Sequence, residues 1–141
     1  MSRPTRLYAL FIAGGFAFAA VTGLFTNNDF STGVNVTRKA IFGILDTNGW
    51  HNLFHLSFVP VAVWVANRAG AARSFALLAG LLYAAMGVAG FVIGDRAVLF
   101  GLIPVNLLDS AIHLSLGALG VTAAWYAAAA RRPQPRYAAG A

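Results

Sequence analysis

Near-continuous apolar runs, each about long enough to cross a bilayer, constrain this chain more than any other feature. They occupy residues 7–25, 49–66, 74–93 and 104–130. The chain is 59% hydrophobic and only 10% charged, too little polar surface to clothe a soluble domain, so lipid is the expected solvent. Short connections at 67–73 and 94–103 make sequential helices antiparallel neighbours. The expected fold is all-α: an integral membrane four-helix up-down bundle. A basic head, residues 1–6, precedes it, and residues 131–141, with Pro133 and Pro135, are expected to form a disordered tail.

Lipid gives helices no hydrophobic reason to associate, so packing must come from close backbone approach. Small residues at Ala13, Gly14, Gly15, Ala79, Gly80, Ala84, Gly87 and Gly90 suit that need. Pro60 lies inside the second run and is expected to kink it. Residues 34–45 are expected to lie along the membrane surface as a short amphipathic segment.

The formal charge of +6 suits membrane orientation better than nucleic acid, because the basic residues flank the apolar runs. Arg3, Arg6, Arg68, Arg73, Arg131, Arg132 and Arg136 fall on one side with no acid among them. The other side carries Arg38, Lys39 and Arg96 against Asp29, Asp46 and Asp95. This asymmetry puts both termini in the cytoplasm and the protein in the cytoplasmic (inner) membrane.

The chain also repeats itself. Asn48-Gly-Trp-His51-Asn52-Leu-Phe-His55-Leu-Ser returns 58 residues later as Asn106-Leu-Leu-Asp109-Ser110-Ala-Ile-His113-Leu-Ser. The same offset pairs Phe42-Gly43 with Phe100-Gly101. Two pseudo-repeated helix hairpins follow, related by a twofold axis along the membrane normal. The second and fourth runs then start at the same depth, with Asn48 and Asn106 where an N-cap belongs. His51 and His55 are four apart, as are Asp109 and His113, so each pair projects from one helical face.

Three readings of this cluster compete. In the first it is structural: Asn48, Asn52, Asn106 and Ser110 cap helices and join the hairpins, with Asp109 serving its own helix start. In the second, His51, His55, Asp109 and His113 bind a divalent transition metal. In the third, His55 and His113 ligate a haem or pigment from opposite helices, with Gly117 leaving room for a flat ring. The chain has no cysteine, which excludes disulfides, thiolate metal sites and covalent haem attachment. No phosphate loop, nucleophile elbow or carboxylate pair points to an ordinary enzyme centre.

The stretches Phe42-Gly-Ile-Leu-Asp-Thr-Asn-Gly-Trp-His-Asn-Leu-Phe-His55 and Pro104-Val-Asn-Leu-Leu-Asp-Ser-Ala-Ile-His113-Leu-Ser-Leu-Gly117 carry a resemblance. Over roughly residues 7–130 the chain resembles a family of small four-span bacterial membrane proteins catalogued as domain of unknown function 4383. The resemblance implies a four-helix membrane protein in which His51, Asn52, His55, Asn106, Asp109 and His113 belong to the family pattern; it implies no activity.

The expectation is therefore a small non-enzymatic membrane protein. Its partners are the lipid bilayer and other membrane subunits or copies of itself, with no nucleic acid. An accessory role comes first and metal or haem binding second, with contact to a pigment or quinone behind them.

Overall fold

The computed structural model describes residues 3–130. It is mostly helical, with four helices: α1 (Arg3–Thr26), α2 (Gly49–Val65), α3 (Ala69–Ile93) and α4 (Leu107–Ala129). Three stretches, Arg3–Thr26, Gly70–Ile93 and Leu107–Ala129, are long and apolar enough to cross a membrane. Helix α2 is shorter, at 17 residues, and continues through Pro60. At 1.5 Å per residue it reaches about 26 Å, just under the ~30 Å hydrocarbon layer. The proposed tail, residues 131–141, lies outside the described residues.

Two connections differ from expectation. Residues 34–45, expected as one short amphipathic segment, instead run through a turn and into a strand hairpin. After a single 3-10 turn at Gly33–Asn35, strands β1 (Lys39–Ile41) and β2 (Leu45–Thr47) pair antiparallel. The region 94–103 is likewise no simple turn, since β3 (Ala97–Leu99) pairs with β4 (Ile103–Val105). Pro104 therefore belongs to β4, opposite Val98, and α4 starts only at Leu107, after its cap Asn106. At each hairpin tip a Phe-Gly pair takes positive φ: Phe42 and Gly43 at 51° and 79°, Phe100 and Gly101 at 55° and 67°. Two successive residues at positive φ give the tight turn whose twist matches an antiparallel hairpin. Three-residue strands are too short to leave a period-2 signature, so only the turn pairs signalled them.

The strands and the starts of α2 and α4 obey the 58-residue offset: Lys39 corresponds to Ala97, Leu45 to Ile103 and Gly49 to Leu107. The correspondence extends to hydrogen bonds. Asn48 donates from its amide to the Leu102 carbonyl at 2.7 Å, and Asn106 donates to the equivalent Ile44 carbonyl at 2.7 Å. Each asparagine also caps its own helix, accepting from the backbone N–H of His51 or Asp109 at 2.9 Å. One side chain thus starts a helix and reaches across the pseudo-twofold. Asn48→Ala or Asn106→Ala should each cost about 1–3 kcal/mol, a lost cap plus a lost bond between the halves. Unfolding in mixed micelles checks this, and the more buried Asn48 should show the larger loss.

Packing is uneven. Helix α3 lies most extensively against α4, and α1 against α2. The α3–α4 seam runs backbone to backbone. A Cβ on Gly80 would lie 2.7 Å from the Val121 amide nitrogen, and one on Gly87 would lie 2.6 Å from that of Leu114. Large apolar side chains such as Phe11, Phe18, Leu78, Val92 and Trp125 face outward, as lipid contact requires.

Candidate functional site

Each half supplies the same scaffold: a β-hairpin ends in an asparagine cap, and the helix that follows projects polar side chains from its first two turns inward. The caps fix where each helix begins, so residues three and seven positions later face the partner half. His51 and His55 come from α2 in this way, Asp109 and His113 from α4.

The three imidazoles meet. Ring centroids are 4.5 Å apart for His51 and His55, 5.9 Å for His51 and His113, and 6.1 Å for His55 and His113. One potential ligand nitrogen from each lies within 4.8 Å of the others. His51 and His113 are both 3% exposed. The Nε2 atoms of His51 and His55 and the Nδ1 of His113 are buried and without a hydrogen-bond partner.

His51 is oriented from behind. Its Nδ1 lies 3.1 Å from the Asp46 carbonyl oxygen. A carbonyl only accepts, so in this bond Nδ1 carries the proton and Nε2 keeps its lone pair. Asp109 stands at the other end of the same linkage. Its carboxylate accepts from the Asp46 N–H at 2.9 Å and from the Asn106 N–H at 3.1 Å, completing a capping box. Asp46 thus receives His51 on its carbonyl and serves Asp109 with its amide. This backing by a carbonyl and a hydrogen-bonded carboxylate is what commonly holds a ligating imidazole in register.

Asp109, expected among the ligands, therefore stands beside the cluster rather than in it. The structural residues are all engaged elsewhere. Asn52 donates to the Asn27 carbonyl at 3.0 Å and accepts from the Thr47 hydroxyl at 2.6 Å. Ser110 donates to the Asn106 carbonyl at 2.9 Å. Gly117 does not open space for a flat ring: a Cβ there would strike Ala84, because α3 fills that side. Sequence reasoning also missed two aromatic walls. Phe16 stacks on His55 with centroids 4.4 Å apart, and the fully buried Tyr83 ring lies 5.4 Å from His113. A lone tyrosine inside the third apolar run was the available signal for Tyr83; nothing distinguished Phe16 from lipid-facing phenylalanines.

A cavity of about 170 Å³ reaches this cluster from between α1 and α4. Phe11, Gly15 and Ile112 stand at its exposed rim, and His55, His113 and Asp109 at its inner end. Drug-sized ligands occupy roughly 300–1,000 Å³, so a porphyrin has no room here. Outside the spans, Asp29 accepts from the Ser31 N–H at 2.7 Å, which with the Thr37 hydroxyl holds its carboxyl below the ordinary value.

No curated protein and no solved structure matches the chain. A family model described as Domain of unknown function (DUF4383) matches residues 6–126. With its helices, its repeated hairpins and most of its length within that match, the chain belongs to this family of unknown function.

Proposed function

We propose that this small membrane protein holds one divalent transition metal ion, of the zinc–copper class, on His51, His55 and His113. The observation that carries the reading is that one ligand nitrogen from each of three imidazoles lies within 4.8 Å of the others, on rings that each also hold a buried nitrogen with no hydrogen-bond partner. A buried polar atom left unsatisfied costs about 1–3 kcal/mol, a cost that a bound cation can offset. Nitrogens around a tetrahedral zinc stand roughly 3.3 Å apart, so the 4.8 Å cluster needs only side-chain closure. Neutral imidazoles without thiolate suit zinc and copper better than magnesium or calcium.

A purely structural cluster is the weaker reading, because Asn48, Asn106 and Asp109 already join the halves. An accessory role in a larger assembly rests on the exposed apolar faces, which lipid alone accounts for. The arginine asymmetry supports both termini on the cytoplasmic side, with the histidines near the opposite face.

Elemental analysis of detergent-purified protein after brief zinc or copper exposure and gel filtration tests the proposal. Roughly one ion per chain is expected. Metal at the level of a triple His51→Ala, His55→Ala, His113→Ala variant would refute it.

A further inference from the structure

Three protein ligands leave a tetrahedral metal one open position. Two of the three imidazoles, His55 and His113, also form the inner end of the cavity between α1 and α4. An ion held by these imidazoles would adjoin that cavity. Apart from Asp109, also at the inner end, the remaining wall is apolar: Phe11, Ile12, Phe16, Ile112 and Leu116. Its rim lies on outward faces of α1 and α4, among side chains that contact lipid.

We infer that the site takes a lipid-soluble ligand with a single ring and a donor oxygen, of the phenol or quinol class, entering from the bilayer. Size supports one ring. An engineered apolar cavity of roughly 150 Å³ takes up benzene, and this one measures about 170 Å³. The polar end dictates an oxygen, because a pure hydrocarbon would leave the metal position and the imidazole edges unmet. An alkyl tail can trail between α1 and α4 into lipid, so tail length is not limited by the cavity. The inference rests on the metal reading, since the oxygen would fill the ion's fourth position.

Gly15 provides the test. It lines the cavity, and a Cβ there meets nothing within 4 Å, so a larger side chain fits without disturbing the helices. Gly14 is equally open but lies off the cavity. The protein is loaded with cobalt(II) in lipid nanodiscs and titrated with 4-octylphenol while its visible d–d bands are recorded. The wild type and Gly14→Leu should show a saturable change in the bands. Gly15→Leu should bind cobalt equally well but respond about tenfold more weakly or not at all. Bands that 4-octylphenol leaves unmoved in a cobalt-loaded wild type, or moves equally in Gly15→Leu, overturn the inference alone. Failure of the wild type to hold cobalt overturns it together with the metal reading.

Discussion

Replacing His113 with alanine should cost the protein its metal. One of three ligands is removed, and affinity should fall roughly a hundredfold or more, because each ligand carries a large share of the binding free energy. His51→Ala and His55→Ala should behave alike. Asp109→Asn separates the two roles the sequence left open for that residue. The carboxylate accepts two backbone N–H groups and stands one peptide unit behind His51. As a supporting group its loss should weaken metal binding about tenfold and lower stability by about 1–3 kcal/mol. A loss equal to that of a histidine would make it a ligand instead. Competition titration against a chelator of known affinity measures all four variants on one scale.

The second large effect lies at the α3–α4 seam. Gly117→Val places branched carbons where the Ala84 backbone already stands. Backbone cannot swing aside as a flexible side chain does, so the helices must separate along the seam. The cost should be at least about 3 kcal/mol, the upper end for overpacking a well-filled interior. Urea titration in mixed micelles reads this directly. Gly15→Leu, in open space on α1, should stay within about 0.5 kcal/mol of the wild type. Equal stability of the two variants would mean that α3 and α4 do not approach as closely as their glycines imply.

The helices were legible because apolar runs in lipid need no period to be recognised; length alone suffices. The repeat was legible because caps, turn pairs and the His55–His113 pair share one offset, and that placed His55 level with His113 and, one turn shallower, His51 level with Asp109. The hairpins between helices were not legible, since three-residue strands carry too little pattern. Without them the role of Asp109 was ambiguous: its partner, the Asp46 amide, is a backbone group on β2 that no side-chain motif announces. Gly117 was misjudged for a related reason. A glycine on a helix face signals close approach, but the sequence does not say whether a cofactor or another helix approaches. Here α3 does.

The most direct measurement is X-ray absorption on the zinc-loaded protein. Three nitrogen scatterers at about 2.0–2.1 Å with the outer-shell pattern of imidazole are expected, plus one exchangeable oxygen ligand. A shell of oxygens, or a single imidazole, would contradict the three-histidine site.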